Sequence, residues 1–266
     1  MIDSALGVRW LVQRPFAHED SPTLGLLTRA CAELSLPLET LEVTPGREIT
    51  WPPCDLPTIV HGRTTLLHAA RAHPAYAHAV FFDPATFTPE HSLHLWGERM
   101  LNADQRVCTW DEALDVLKRG ALFVRPNDDD KRFTGGVVTH AELVEIYQRL
   151  CKYNAITEAT RVVLAPVQEL DAEARVFVLK GEVIGGSFYR PNDSPELPRD
   201  LVAFAEATAA LGGPAEVFVM DIARVNQSYR VIESNCFNGS RLYNCDVQHV
   251  VARVSQYQAK RAHSGR

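Results

Sequence analysis

Short apolar runs alternate with amphipathic helical patterns over the first hundred residues of the chain. Helical patterns occupy residues 23–35 and 64–72, and the apolar runs are at residues 8–12, 38–43, 58–61 and 79–82. This alternation predicts strands that are joined by crossover helices, and therefore a parallel sheet of the α/β class. Neither GxGxxG nor GxxxxGK before Ser or Thr follows any of these runs, so the sequence contains no dinucleotide fingerprint and no P-loop.

Two capping boxes mark helix starts in the middle of the chain. The pattern Thr-x-x-Glu occurs at residues 109–112 and 139–142, and it predicts helices that end near residues 119 and 152. Between these helices we expect a strand at 121–125 and a short strand at 137–138. The loop at 127–136 then connects two strands and is exposed.

Two hairpins are expected in the C-terminal half of the chain. A strand at 161–167 precedes the first hairpin at 175–186, and the second hairpin covers 217–235. Helices are predicted at 198–211 and 247–260. The chain is therefore expected to combine an α/β part with an α+β part.

The charge balance of the chain excludes some classes of partner. The net charge is -6 and the 27 Lys and Arg residues are scattered, whereas binding to nucleic acid needs a basic face. The sequence opens without a basic and apolar leader, and no apolar stretch reaches about 18 residues, so we expect a cytoplasmic protein without a membrane partner. The six cysteines form no CxxC pair and are expected to be reduced thiols.

The hairpin at 217–235 contains an acidic pair. If residues 226–228 form its turn, the register places Asp221 directly opposite Glu233. Carboxylates on Cβ atoms about 5 Å apart repel each other, so this pair needs a cation or a raised pKa. Asn235 lies two residues further on the same face and adds a neutral oxygen ligand. Such a set of oxygen ligands is typical of magnesium that is completed by substrate phosphates.

A surface ion-pair network is the alternative interpretation of these acids. Arg224 and Arg230 lie in the same hairpin, but in the assumed register both arginines point to the face opposite the acids. If the repulsion between the two carboxylates persists without metal, Asp221→Asn should leave the melting temperature of the metal-free protein unchanged or raised.

A basic and glycine-rich segment follows the strand at 121–125. Arg125 ends that strand, and a loop with a flexible ammonium and bare backbone N–H groups could cover phosphate oxygens as a lid. The loop residues suited to this role are Lys131, Thr134, Gly135 and Gly136. An ordinary solvated turn remains the alternative, because three aspartates at 128–130 precede them.

Glu173 and Arg175 alternate in phase on the first strand of the first hairpin and so share one face. Together they offer an acceptor for hydroxyl groups and a bidentate donor for phosphate. A surface salt bridge between the two side chains is the alternative.

Taken in order, the segments LFVRP, KRFTGG, PVQELDAEARVFVLKGEVIGG, VMDIARV and VIESN resemble the ATP-grasp superfamily over about residues 100–246. The resemblance is strongest to the branch that has one arginine and two lysines in the phosphate site. It implies an ATP-grasp fold with an N-terminal Rossmann-like pre-ATP-grasp domain at 1–100. The two grasp subdomains, at 101–167 and 168–266, would then clamp ATP between them.

The resemblance also implies a role for each motif residue. Arg125 and Arg175 would contact the phosphates, and Glu173 would hold the ribose. The remaining implied groups are the lid of Lys131, Thr134, Gly135 and Gly136, the adenine hinge of Gln168, Glu169 and Leu170, and the ligands of two magnesium ions, Asp221, Glu233 and Asn235. The stretch 238–243 would face the substrate carboxylate, with Arg190 or Arg241 replacing the arginine that some members carry at the position of Val219. Lys180 is the candidate for the second lysine.

The activity that the resemblance implies is carboxylate–amine ligation. A substrate carboxylate would attack the γ-phosphate of ATP, and an amine would then displace phosphate to form an amide. We expect a small-molecule, amino-acid or peptide substrate. A small-molecule kinase and a catalytically silent nucleotide-binding module are the alternatives.

Overall fold

The computed structural model describes residues 7–15, 22–44, 46–127, 133–153, 156–157 and 160–264. Its strands form three sheets, one from the first sixty residues of the chain, one from the middle and one from the C-terminal part. Lys131 lies outside the described residues, so its predicted place in the lid stays a prediction.

A parallel three-stranded sheet opens the chain. It is built from β1 (Arg9–Gln13), β2 (Leu38–Leu41) and β3 (Thr58–His61) in the order β2-β1-β3. Helices α1 (Pro22–Glu33) and α2 (Thr64–Ala72) follow the first and third strands. Both pairings are parallel, which confirms the pattern predicted from alternating runs and helices.

The strand predicted at 79–82 is wrong. This segment is a short 3₁₀ turn, Ala77–Ala79, followed by irregular backbone. The side chain of Asn238 takes the place of a neighbouring strand, because its Oδ1 accepts from the Phe81 N–H at 2.7 Å and its Nδ2 donates to the Ala79 carbonyl at 3.4 Å. Helix α3 (Pro89–Trp96), which the sequence did not predict, comes next.

The middle sheet has the strand order β4-β7-β5-β6, and all its pairings are antiparallel. Its elements are β4 (Arg106–Thr109), α4 (Trp110–Leu117), β5 (Leu122–Pro126), β6 (Gly136–Val138), α5 (His140–Lys152) and β7 (Arg161–Ala165). Both predicted capping boxes are present, since Thr109 and Thr139 exchange hydrogen bonds with the third residue of α4 and α5 respectively. The loop after β5 connects two paired strands, as predicted.

The C-terminal sheet is antiparallel with the order β11-β10-β8-β9. Its elements are β8 (Ala172–Leu179), β9 (Glu182–Arg190), α6 (Arg199–Ala209), β10 (Val217–Val225), β11 (Ser228–Cys236) and α7 (Val247–Ser264). The first hairpin is longer than predicted at both open ends.

The acidic hairpin reaches its predicted pairing by an unpredicted route. Its turn has two residues, Asn226 and Gln227, which both have positive φ, rather than three. A bulge next to Asp221 leaves Ile232 unpaired on β11 and restores the register, so that Asp221 pairs with Glu233. The facing carboxylates are therefore confirmed, whereas the predicted turn is wrong.

The first and last sheets share their hydrophobic core. On one face Leu11 and Val60 belong to the same buried cluster as Met220. On the other face Trp10 packs with Val219 and with residues of α7. The middle sheet has a cluster of its own. The domain boundaries at 100 and 167 stay a prediction, but the first sheet does not bury its faces alone.

The thiols agree with the sequence. All six cysteines are free, as expected, and burial raises the pKa of Cys31 and Cys245 to about 12. Within the described ranges, none of the helices combines the length and the apolar character of a membrane span.

Candidate functional site

A cavity of about 440 Å³ lies where the middle sheet, the connection from β7 to β8 and the C-terminal sheet meet. Ligand cavities for small molecules have volumes of about 300–1,000 Å³. Nine of the predicted site residues line it: Arg125, Thr134, Gly135, Gln168, Leu170, Glu173, Arg190, Asp221 and Glu233. The predicted residues outside this lining are Gly136, Glu169, Arg175, Lys180, Asn235 and Arg241, and Lys180 lines a different cavity.

The cavity also has walls that sequence reasoning missed. Phe87 and Ser92 come from α3 and the segment before it, and Tyr189 comes from the end of β9. The side-chain hydroxyls of Ser92 and Ser234 lie 3.0 Å apart, which fixes α3 against β11. Tyr189 could have been found by extending the alternation of the first hairpin past residue 186, whereas the contribution of α3 has no local signal.

Asp221 is held by Arg175 in a buried bidentate ion pair. The Nε and Nη2 atoms of Arg175 donate to the two carboxylate oxygens at 2.8 and 2.7 Å. Asp221 is 3% exposed and Arg175 is 8% exposed. Burial alone would lower the pKa of Arg175, but the charge and hydrogen bonds of Asp221 outweigh it and raise that pKa above its usual value. Arg175 therefore stays charged beside the carboxylate.

Glu233 has a second arginine as its counterion. Arg125 Nη1 lies 2.8 Å from Glu233 Oε2. Between the two acids, Asn235 Nδ2 donates to Glu233 Oε1 at 2.9 Å and to Asp221 Oδ2 at 3.1 Å. Two guanidinium groups thus neutralise the negative charge of the facing carboxylates, and one amide donates hydrogen bonds to both of them.

The observed partners correct two expectations about the acidic pair. The sequence predicted that the two carboxylates need a cation, for which magnesium was the candidate. In the structure the guanidinium groups of Arg125 and Arg175 supply the positive charge. The two-residue turn pairs Arg230 with Ala223, so Arg230 lies on the same face as Asp221 and not on the opposite one. It is exposed near the turn.

The expected effect of Asp221→Asn is reversed by the ion pair. Loss of the carboxylate would leave the buried guanidinium of Arg175 without its bidentate partner. Breaking a buried pair from one side is strongly destabilising, so relief of carboxylate repulsion does not dominate the stability of the metal-free protein.

The residues fit a magnesium ion. Two carboxylates and an amide form an oxygen donor set that suits this hard cation. Asn235 presents its nitrogen to the acids, so ligation would need its Oδ1 turned toward them by rotation about χ2. In the described ranges, His, Cys, Asp and Glu do not gather in groups of three suited to a metal, and the set has three ligands only when Asn235 is included.

Arg175 lies behind the wall of the cavity. Its guanidinium lies over the ring of Tyr243 at 5.0 Å, and its Nη1 donates to the Arg241 carbonyl at 3.3 Å. Tyr189 stacks on Tyr243 with ring centroids 4.8 Å apart. The described partners of Arg175 hold it against Asp221, and direct contact with phosphate stays a prediction.

Glu173 lies in the cavity, and both its carboxylate oxygens have partners. Tyr189 donates to Oε2 at 2.8 Å, and Arg190 donates to Oε1 at 2.9 Å. The alternative of a salt bridge between Glu173 and its strand neighbour Arg175 does not occur, since that arginine is bound to Asp221. Burial, followed by the charges of Asp221 and Glu173, raises the pKa of Tyr189 above its usual value, so its hydroxyl donates.

The stretch 238–243 divides into a structural and an open part. Asn238 is 0% exposed and donates to the Val60 carbonyl at 2.6 Å in addition to its bonds with residues 79 and 81. Asn238 therefore does not face a substrate, because its amide joins β3 to the C-terminal sheet, and for the rest of the stretch the expected contact stays a prediction. Arg241 is exposed and lines a second, neighbouring cavity.

Gly135 is expected to tolerate no side chain. A Cβ there would lie 2.9 Å from Arg125 Cβ and 3.3 Å from Phe123 Cζ, whereas a Cβ on Gly136 would meet nothing within 4 Å. Gly135→Ala should lower the free energy of unfolding by about 1–3 kcal/mol through overpacking. Gly136→Ala should change it much less. Urea denaturation of both variants measures the difference, and equal effects would contradict the proposed close approach.

The sequence matches one described family. Residues 44–254 match the family model of the ATP-grasp domain, R-2K clade family 3. Among curated proteins, no sequence matches the chain significantly.

Solved structures match the fold over nearly the whole chain. D-cycloserine synthetase DcsG has a TM-score of 0.63 and 15% identity, covering 96% of this chain and 99% of that one. The ATP-grasp ligase PsnB, complexed with a precursor peptide and AMPPNP, has a TM-score of 0.58 and 16% identity, covering 97% and 99%. D-alanine–D-alanine ligase from Bacillus anthracis has a TM-score of 0.56 and 11% identity, covering 97% and 99%. At these identities the likeness concerns the fold.

Proposed function

The chain belongs to the ATP-grasp domain family, R-2K clade family 3, and on this premise we propose that it is an ATP-dependent carboxylate–amine ligase. It joins a carboxylate to an amine through an acyl phosphate and releases ADP and phosphate. The similar structures support this class, because their names describe a synthetase, a D-alanine–D-alanine ligase and a ligase bound to a precursor peptide. They also support an amino-acid or peptide substrate.

The observation that carries the proposal is the composition of the cavity. Arg125, Glu173 and the acidic pair of Asp221 and Glu233 line one space of about 440 Å³. A nucleoside triphosphate with magnesium requires a cationic donor for its phosphates, an acceptor for its ribose hydroxyls and carboxylates for the metal. These residues supply all three. Phosphoryl transfer needs positioning and charge neutralisation more than a covalent nucleophile, and none is proposed here.

Each residue has a task in the proposed reaction. Arg125 lies on the cavity side of the acidic pair and donates to the phosphate oxygens. Glu173, held by Tyr189 and Arg190, accepts from the ribose hydroxyls. The connection through Gln168 to Leu170 lines the cavity between the two sheets and contacts adenine by its backbone.

Asp221, Glu233 and Asn235 hold magnesium in this proposal. When bound, the metal neutralises charge on the transferred phosphoryl group. Arg175 does not line the cavity, and its two hydrogen bonds hold the carboxylate of Asp221 in place. The carboxylate of the first substrate attacks the γ-phosphorus as ADP leaves, and the amine of the second substrate then attacks the acyl carbon as phosphate leaves.

Purified protein, incubated with magnesium, ATP and pools of amino acids and short peptides, should release ADP and a new amide in equal amounts. Chromatography of nucleotides and mass spectrometry of the products measure both. AMP as the nucleotide product, or ADP with a stable phosphorylated substrate, would contradict ligation, and the second result would identify a kinase. Magnesium-dependent ATP binding without turnover on any pool would favour a silent binding module.

A further inference from the structure

An ion pair between Arg125 and Glu233 joins two sheets across the first cavity. Arg125 Nη1 lies 2.8 Å from Glu233 Oε2. The arginine belongs to β5 of the middle sheet, the acid belongs to β11 of the C-terminal sheet, and both line the cavity. Ion pairs in a partly enclosed cavity are screened by salt less than those on an open surface. The pair is therefore a substantial contact within the proposed site.

The two ion pairs of the acidic hairpin differ in how firmly they are held. Arg175 is the direct cross-strand neighbour of Asp221, donates to both of its carboxylate oxygens and is buried together with it. Arg125 instead reaches Glu233 from another sheet, and these two side chains are 14% and 34% exposed. The first pair is thus fixed within one sheet, whereas the second can exchange its partners.

Glu233 has donors on both of its carboxylate oxygens. Asn235 Nδ2 donates to Oε1 at 2.9 Å, and Arg125 lies on Oε2. A magnesium ion that binds this carboxylate needs the lone pairs of an oxygen, so it comes close to the guanidinium. Two cations at such a short distance repel each other strongly where water is partly excluded. Magnesium and Arg125 therefore compete for Glu233.

A triphosphate removes this competition. Its anionic oxygens accept charge-assisted hydrogen bonds from a guanidinium, and they also ligate magnesium. When Arg125 turns to the phosphates, Oε2 of Glu233 becomes available to the metal. Each ligand then makes room for the other, which is positive coupling between two binding events.

We infer that Arg125 guards Glu233, so that magnesium binds tightly only together with a nucleoside triphosphate. The inference rests on the proposed function, because that function places the metal on Glu233 and the phosphates on Arg125. The guanidinium keeps the acidic pair from loading a divalent cation on its own, and the cation enters with the nucleotide.

Arg125→Gln should change the binding of the two ligands in opposite directions. Manganese(II), which accepts the same oxygen ligands as magnesium, is titrated into the protein and followed by electron paramagnetic resonance. Without nucleotide, the variant should bind this metal at least about tenfold more tightly, because the competing cation is gone. Calorimetry should show that it binds magnesium–AMPPNP about tenfold more weakly, because a charge-assisted hydrogen bond to phosphate is lost. Loss of a merely structural contact would weaken both.

Arg230→Gln is the charge-matched control for this pair of measurements. It removes a guanidinium from the same hairpin, and Arg230 is exposed and lies outside the lining of the cavity. Because exposed charges are screened, this variant should change metal binding by less than about twofold. An equal gain in the control, or metal binding without nucleotide that Arg125→Gln leaves unchanged or weakens, overturns the inference.

Glu233→Gln tests the exchange from the other side and does not depend on the fold of the arginine variant. With EDTA present, AMPPNP should bind this variant about tenfold more tightly than the wild type, because Arg125 is released to the phosphates. The gain should vanish in the double variant with Arg125→Gln, whereas the effect of a general loss of negative charge would persist there. Persistence of the gain overturns the inference.

The outcomes separate the inference from the proposed function. A wild-type protein that binds magnesium–AMPPNP but whose variants show no opposite effects disproves the inference and leaves ATP-dependent ligation standing. Opposite effects in a protein that forms no amide support the exchange and remove ligation. A wild-type protein that binds neither the metal nor AMPPNP removes both.

Discussion

Asp221→Asn is expected to lower the free energy of unfolding of the metal-free protein by about 3 kcal/mol. The carboxylate receives two hydrogen bonds from Arg175, and both side chains are at least nine-tenths buried. An amide cannot accept both guanidinium N–H groups as a charged pair, so a buried cation is left uncompensated. Urea denaturation without magnesium measures the loss, and magnesium-dependent ATP binding should be lost in the same variant.

A matched control and a double variant make this expectation specific. Asp115→Asn removes the same charge from an exposed ion pair with Lys118 and should change stability by about 1 kcal/mol or less. Arg175→Met combined with Asp221→Asn should destabilise less than the sum of the two single substitutions, since the second change removes the unpaired ion. Additive effects, or a metal-free Asp221→Asn protein as stable as the wild type, would refute the ion pair as a stabilising feature.

Asn238→Ala is expected to cost about 2–4 kcal/mol of stability. The amide is 0% exposed; it accepts from the Phe81 N–H at 2.7 Å and donates to the Val60 carbonyl at 2.6 Å. Alanine would leave these buried backbone groups without that partner. The loss should appear in urea denaturation as a lower midpoint with the slope retained.

Asn244→Ala is the control for this effect, because Asn244 is exposed six residues further along the chain. Its stability should be close to that of the wild type. If Asn238→Ala were as stable as this control, the side chain would not join β3 to the C-terminal sheet in solution, and the segment at 79–82 would have other backbone partners.

Much of the fold follows from local patterns in the sequence. The two Thr-x-x-Glu patterns predicted the starts of α4 and α5 correctly, because all the hydrogen bonds of a capping box lie within four consecutive residues. The parallel first sheet followed from its alternation with helices. The strand prediction at 79–82 failed because the apolar composition of this segment suits a strand, whereas its hydrogen-bond partner is a side chain about 160 residues away. No local sequence pattern contains that information.

The acidic pair was found in spite of an error in the turn. Asp221 would lie opposite Glu233 with a three-residue turn. It also does so with the observed two-residue turn, because the bulge at Ile232 adds the missing residue. Bulges carry no sequence signal of their own, and Gln227 at positive φ is not a residue that marks a tight turn. The compensating Arg125 was equally beyond reach, since it belongs to a different sheet.

The core shared by the first and last sheets limits how the specificity of this chain can change. Trp10 donates to Ser255 of α7 at 3.0 Å, and Leu11 belongs to a buried cluster with Met220. The first hundred residues therefore cannot be exchanged as an independent domain. A segment taken from a relative would have to pack against the apolar faces of both β10 and α7. New substrates are more accessible through point substitutions in the loops around the cavities than through recombination of whole domains.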